Sequence, residues 1–547
     1  RGTNFFVRAY GSFEDAGDSY DTRFTGINLN NRAKAHQDWF TQYLAAFSPT
    51  LNPLLNGVLQ AAGRPALSPL NDADARAFAD GDNRALQPIM AAVLQQQLGL
   101  PAEQANLFAQ GLTRGRSRYE PGTDEFNRMK DEINRTIDRD SGAGFIDRTR
   151  FYHFEGQYSL DRHIDWAEIL VGANYRHYFL ASEGTIFADT GGRQLDIQEM
   201  GAYVQATKRF FDKKLRVSVS GRVDKINNFD AQFSPRVAFV YSPDKDKKHN
   251  IRASFQTGFR MPTLQNQYIN LRIGTVKYLG GLEEFWRPNG LVFEGPTGTQ
   301  PNAYTERSVT EFLQSGNPDV LRRQNLDRIR PEQVQAFEIG YKSLLGQKLL
   351  FDISYYFSRY TDFLIVDAFV GPTVANIGRE LTVEDVERRN FQVFRRVANS
   401  DRVVETHGVT VGGSYALTNK YTLTANYTFT EMLTRSLNDG VDFIVGFNTP
   451  LHKTNVGISG REVWKKFGFG ITHRWVDAMD FEETIFSGPL SAYNLVDAQI
   501  SYTLSAYKTQ LRLGGTNILN NRHLEARVGP TVGAIVYLEI RYDSLLR

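Results

Sequence analysis

Apolar and polar residues alternate one for one in stretch after stretch of this chain, and a period of two admits only extended backbone with two unlike faces. Tyr421, Leu423, Ala425, Tyr427 and Phe429 interleave with Thr422, Thr424, Asn426, Thr428 and Thr430. Leu349, Phe351, Ile353, Tyr355 and Phe357 lie opposite Asp352 and Ser354, and Leu215, Val217, Val219 and Val223 back onto Arg216, Ser218, Ser220 and Arg222. Phe467, Phe469, Ile471 and Trp475 repeat the pattern, as do Val496, Ala498, Ile500, Tyr502 and Leu504. Short polar turns (161–165, 212–213, 243–250, 346–347, 418–420, 464–466 and 506–508) alternate with long segments (11–146, 261–330, 366–399, 434–449, 477–489 and 520–530). Soluble sandwiches have shorter strands and no sorting of connections by side. Outer-membrane barrels have short turns on one rim and long loops on the other. The chain is therefore expected to be all-β, a large antiparallel transmembrane β-barrel of about 16 strands, each at or above the roughly 9–11 residues that cross a bilayer. The first strand, over 3–10, should run outward and the last, over 533–542, inward.

Composition agrees by what it leaves out. Mean hydropathy is −0.40, and no stretch approaches the roughly 20 apolar residues of a membrane helix; a barrel strand escapes that scan because only one of its faces is apolar. There is no cysteine, which an oxidising exterior tolerates. With 63 basic and 61 acidic residues the chain carries no nucleic-acid footprint. The segment 11–146 reads as a helical extracellular loop insertion. Trp39, Phe40, Tyr43, Leu44 and Phe47 have helical spacing within 33–47, helices are expected over 82–98 and 101–112, and Thr123 ahead of Phe126 and Met129 suggests a capped start. It is short for a core of its own, so a folded cap on the barrel mouth is expected.

The catalytic search is negative: no G-x-S-x-G elbow, no P-loop and no H-E-x-x-H. The chain is read as no enzyme, without cofactor; a Ser/His pair converging on one barrel wall would be the sign of a barrel hydrolase. No His/Cys group has metal spacing. Asp72, Asp74, Asp80 and Asp82 lack the EF-hand pattern, so a solvated loop is preferred to a Ca²⁺ site and no metal is expected.

Several segments, in order, resemble TonB-dependent receptors, above all the SusC-like class with helical external loops. They are GAGFIDRTRFYHFEGQYSL (142–160), FSPRVAFVYSP (233–243), NIRASFQTGFRMPTL (250–264), PEQVQAFEIGYKS leading into LLFDISYYFSRYTDF (331–363), and GGTNILNN (514–521) before IVYLEIRY. The resemblance implies a 22-stranded barrel, with an N-terminal plug and about six first strands missing from this chain, which would be the barrel portion over 1–547. It implies a multi-pass protein of the Gram-negative outer membrane that imports a bulky solute (an oligosaccharide, a peptide or a metal chelate) when TonB pulls on the plug. A SusD-like surface lipoprotein is the expected lid. A passive porin, or a structural or secretion-associated barrel that has lost transport, stand as alternatives, because fold does not fix function.

On this reading Arg216, Arg222, Arg236, Arg252 and Arg260 face the lumen, where they meet the plug or an anionic ligand, or hydrate the lumen and pair with plug carboxylates. Tyr278, Trp286, Arg287, Tyr304 and Arg307, in the loop 261–330, are the substrate-binding candidates, since aromatics with Arg suit sugar or peptide recognition; packing of the loop on itself explains them as well. Phe351, Tyr355, Phe467, Trp475 and Tyr502 face membrane lipid or form its interfacial girdle. His473 shares their parity and is read as interfacial.

Overall fold

A computed structural model describes residues 4–17, 19–138, 141–273, 275–295, 298–433, 447–482, 487–527 and 529–542. Sixteen strands pair in chain order, each antiparallel to the next. They are β1 (Phe5–Phe13), β2 (Arg150–Ser159), β3 (Glu168–Leu180), β4 (Leu195–Phe210), β5 (Leu215–Ile226), β6 (Gln232–Tyr241), β7 (His249–Arg260) and β8 (Glu332–Leu345), then β9 (Leu349–Thr361), β10 (Val404–Ala416), β11 (Tyr421–Met432), β12 (His452–Trp464), β13 (Phe467–Val476), β14 (Tyr493–Leu504), β15 (Thr509–Thr516) and β16 (Ile535–Tyr542). The terminal strands begin and end a little differently from 3–10 and 533–542, and β15 and β16 have 8 residues each, below the expected length. Among the described residues β1 pairs only with β2 and β16 only with β15.

Register carries one parity around the whole wall, because antiparallel partners share a face. Val219 stands opposite Val237, Val237 opposite Phe255, Phe255 opposite Phe337, and Phe337 opposite Phe357. On this face Val219 is 52% exposed, Phe255 44% and Phe337 43%. A continuous apolar belt left this open has no counterpart on a soluble monomer; it fits hydrocarbon as solvent. The opposite face carries Arg222, Arg252, Glu338 and Asp352, so alternation has sorted two solvents onto two sides.

Connections sort by rim. On one rim they span 160–167, 211–214, 242–248, 346–348, 417–420, 465–466 and 505–508; on the other lie 14–149, 181–194, 261–331, 362–403, 433–451, 477–492 and 517–534. The link 227–231, between β5 and β6, is the one short connection on the long-loop rim. Most of the expected loop 434–449 lies outside the described residues.

Two long connections fold into a second sheet. Its order is Tyr304–Thr305, Leu364–Pro372, Phe391–Asn399, Val276–Leu279, Asn270–Ile273. The segment 366–399, expected as loop, thus contributes two strands, with the ladder of Val276–Leu279 running parallel to Val393 through Arg396. Phe369 and Phe394 are register partners whose rings stack 5.5 Å apart, and with Leu279, Leu291 and Leu326 they form a closed core. A second cluster joins Leu180, Phe187 and Leu195 to Phe285 and Ile329, seating the 181–194 connection against this cap.

Among its described residues the insertion after β1 holds seven α-helices: α1 (Thr22–Ala33), α2 (His36–Phe47), α3 (Asn52–Ala61), α4 (Asp72–Asp80), α5 (Gln87–Leu98), α6 (Ala102–Thr113) and α7 (Asp124–Arg135). Thr123 caps α7, accepting from the Phe126 amide. The chain breaks at Lys34, ahead of α2, where the expected helix over 33–47 would have run on, and residues 82–98 are a 3-10 turn followed by α5. Leu55, Val58, Leu59, Phe78, Met90 and Leu94 form the main core. A smaller one, with Phe24, Leu29 and Ile133, packs against Leu271 and Ile273 of the cap sheet, so insertion and cap touch.

Candidate functional site

The inner wall is an ion-paired surface. Arg252 donates from Nε to Glu338 at 3.1 Å and from Nη1 to Asp352 at 2.9 Å, spanning three strands. Gly340 is its register partner, and a Cβ there would lie 2.7 Å from the guanidinium carbon, so glycine leaves the room this arginine occupies. Arg222 donates to Asp224 and Asn174, each at 2.7 Å, and Arg260 to the buried Glu332 at 2.6 Å. Arg216 and Arg236 share this face but have no ion-pair partner among the described residues. Register places Phe351 and Tyr355 on the face opposite Asp352. Phe467, Trp475 and Tyr502 lie on that same outer side, where Phe467 and Tyr502 are partners. His473 faces outward too and bonds through Nε2 to Asn494 Oδ1 at 3.1 Å.

At the long-loop rim the five loop candidates separate. Tyr278 and Tyr304 are 4% and 7% exposed, because the cap sheet buries them; Tyr304 pairs with Val370 and lies under the Arg323 guanidinium, 4.5 Å from its ring. As placed they are core residues and present no surface to a solute. Trp286 and Arg287 do come together, lining a cavity of ≈ 730 Å³ with Glu283, Glu284, Thr299 and Asn325. The Trp286 indole nitrogen is buried with no hydrogen-bond partner among the described residues, a donor that a bound acceptor would satisfy. Arg287 is held by Glu294 at 2.7 Å and Thr299 at 3.2 Å. Arg307 is exposed on the helix Glu306–Ser315, away from that cavity's lining.

A second cavity, of ≈ 610 Å³, is lined by residues that the sequence reading did not single out, Arg272 and Lys277 among them. The alternation of Leu271, Arg272, Ile273 and Val276, Lys277, Tyr278 on either side of 274–275 was the available hairpin signal.

The acidic group 72–82 is consumed locally. Asp72 binds Arg76 at 2.7 Å and Tyr43 at 2.8 Å, Asp74 accepts the Ser68 amide, Asp80 accepts Trp39 and pairs with Arg118, and Asp82 pairs with Arg84. Asp72, Asp74 and Asp80 lie in α4, so the solvated loop preferred for this stretch is largely helix. Among the described residues no group of three metal-ligating side chains forms. One Ser/His pair does converge on the wall, Ser343 Oγ lying 3.0 Å from His249 Nδ1. That nitrogen also faces Tyr341 at 2.7 Å, and Ser343 is 1% exposed. A serine closed to solvent, on a nitrogen shared with a phenol, is poorly placed as a nucleophile.

A family model described as TonB dependent receptor-like, beta-barrel, matches residues 9–518. No curated protein matches the chain. Among solved structures, a mutant of the ferric enterobactin receptor PfeA from Pseudomonas aeruginosa is similar with a TM-score of 0.50 at 12% identity, over 73% of this chain and 54% of that one. The siderophore receptor PirA from Acinetobacter baumannii gives 0.47 at 10%, over 73% and 55%, and the FrpB iron transporter from Neisseria meningitidis 0.47 at 12%, over 74% and 57%. The chain spans about half the length of these structures, and likeness at such identity concerns the fold alone.

Proposed function

From the premise that this chain belongs to the TonB-dependent receptor-like β-barrel family of the Gram-negative outer membrane, we propose that it is the wall and mouth of an importer for a bulky solute. One observation supports this above others: the two-faced wall ends, on its long-loop rim, in a folded cap that encloses cavities. A passive pore has no use for a closed, hydrophobically cored cap over its mouth, whereas a capturing receptor needs rigid elements there to hold binding groups in place. A barrel of this width cannot fill its lumen with side chains, so an importer needs a plug, and the ionised inner wall is suited to face one. TonB is the proposed source of motion and outer-membrane lipid the surrounding solvent.

The solute is an oligosaccharide, a peptide or a metal chelate, a class too large for simple pores. The SusC-like subclass, with a SusD-like lipoprotein over the mouth, is the finer reading; the helical insertion supports it, being a broad external surface on which a lid can rest. The cavity at Trp286 and Arg287 is the proposed capture site. The test is uptake of candidate solutes by cells carrying the intact protein, with and without the inner-membrane proton gradient. Uptake should stop when the gradient is collapsed. Entry at an unchanged rate would mean a passive pore.

A further inference from the structure

Two cations stand directly opposite one another at the edge of the cap sheet: Arg272 and Lys277 are register partners. Like charges so placed weaken a strand pair, and the arrangement gains from a counter-charge. Lys277 has none among the described residues. Its Nζ donates to Asn289 Oδ1 at 2.6 Å, and among the described residues no carboxylate pairs with it. Burial, reinforced by Arg272, pushes the Lys277 ammonium below the ordinary lysine range; a bound anion would reverse that shift.

Both side chains line the ≈ 610 Å³ cavity. Its walls come from three separate external segments: 137–138 at the end of the helical insertion, 183–185 in the connection between β3 and β4, and the cap itself. The second is fixed from behind by Asp189, whose carboxylate accepts the Ser182 hydroxyl and the Gly184 amide, each at 2.7 Å. Of the two carboxylates on the lining, Glu183 is paired with Arg148 at 2.6 Å, while Asp138 accepts the uncharged Ser141 hydroxyl at 2.9 Å. A pair of facing cations thus stands on the lining of a walled pocket at the mouth, and Lys277, the more buried of the two, has no carboxylate partner among the described residues.

We propose that this cavity is an oxyanion-binding site, with Lys277 the charged donor and Arg272 facing it, that takes a carboxylate or phosphate group of the solute. Its assignment to the imported solute rests on the import reading; the anion site itself does not. Calorimetric titration of the intact receptor in detergent with citrate, with inorganic phosphate and with maltotriose tests it without membrane energy, so failure of energised uptake and failure of this site are separable. Citrate or phosphate should bind and maltotriose should give no Lys277-dependent heat. Lys277→Met should weaken the anion by about tenfold or more, the loss of one charge-assisted hydrogen bond, and Lys277→Arg should largely preserve it. Arg272→Gln, at an exposed side chain, should weaken it without disturbing the buried position. Tighter citrate than phosphate assigns a carboxylated ligand, and the reverse a phosphorylated one. Absence of binding by either anion, or affinities unchanged in both Lys277→Met and Arg272→Gln, overturns the proposal.

Discussion

At the scale of single residues, the clearest case is Lys34. It is 5% exposed between α1 and α2, donating to Gln42 Oε1 at 2.6 Å, to Ala79 O at 2.5 Å and to Gly81 O at 2.8 Å. Burial, opposed by Asp80 and Asp82, lowers its pKa from 10.5 to about 8. A lysine whose folded pKa lies below its unfolded one leaves the unfolded chain holding more protons between those two values. Stability of the helical insertion should therefore rise with pH from about 8 to about 10.5, by up to about 3 kcal/mol. Urea unfolding followed through Trp39 fluorescence at pH 7.5 and pH 10 checks this, and Lys34→Met should flatten the dependence. A midpoint equal at both pH values in the unmodified protein would refute it. Nothing in the sequence around Lys34 marks it as buried, because its three acceptors come from α2 and from the far end of α4. The same blindness misplaced Tyr278 and Tyr304, which read as loop aromatics until distant strands close over them.

At the scale of elements, the wall strands were legible, as were α2, α5, α6 and α7 of the insertion, whereas α1, α3, α4 and the cap strands were not. A period of two is local, so β9, β11 and β14 can be read residue by residue, and so can their faces. That reading predicts a sharp asymmetry between neighbours on one strand. Phe255→Lys, on the outer face of β7, should cost about 2–4 kcal/mol if it lies at mid-membrane depth and less near an interface, while Gln256→Lys, on the inner face, should be tolerated. Yield of heat-modifiable barrel measures both; equal yields would sink the face assignment. The rims can be tested as simply, since the chain has no cysteine of its own. Lys245→Cys, in the 242–248 turn, should resist an impermeant thiol reagent on whole cells, and Arg307→Cys should label; the opposite pattern would invert the topology. The helix α1, by contrast, shows no apolar stripe, since it buries Thr25 and Asn28 through hydrogen bonds to Asn134 and to the Gly142 carbonyl. In the cap, the ladder between Val276–Leu279 and Phe391–Asn399 joins segments more than a hundred residues apart, beyond any local pattern.

For the whole molecule, wall and cap are separate strand ladders, with one hydrophobic cluster packed between them. Strands β7 and β8 pair directly from Arg260 opposite Glu332 onward, so a short Gly-rich turn can replace the entire 261–331 connection. That deletion should leave a heat-modifiable barrel and abolish uptake of the natural solute. Because the same deletion strips Leu279, Leu291 and Leu326 from the core around Phe369 and Phe394, the 362–403 connection has to be replaced by a short turn with it. On the import proposal, uptake that survived the full deletion would move capture to the helical insertion or to another part of the intact protein.

The parallel ladder between Val276–Leu279 and the strand Phe391–Asn399 also sets a time order. The two segments are separated in the chain by β8 and β9, which cross to the opposite rim and return. They can meet only after both have been threaded to the outside, and such distant pairings form slowly. Until they meet, Phe369 and Phe394, which pair with one another inside a single connection, lack the cover of Leu279 and Leu291, the condition in which aggregation competes with folding. The ladder that ties the two connections together therefore closes only once β8 and β9 have been threaded between them.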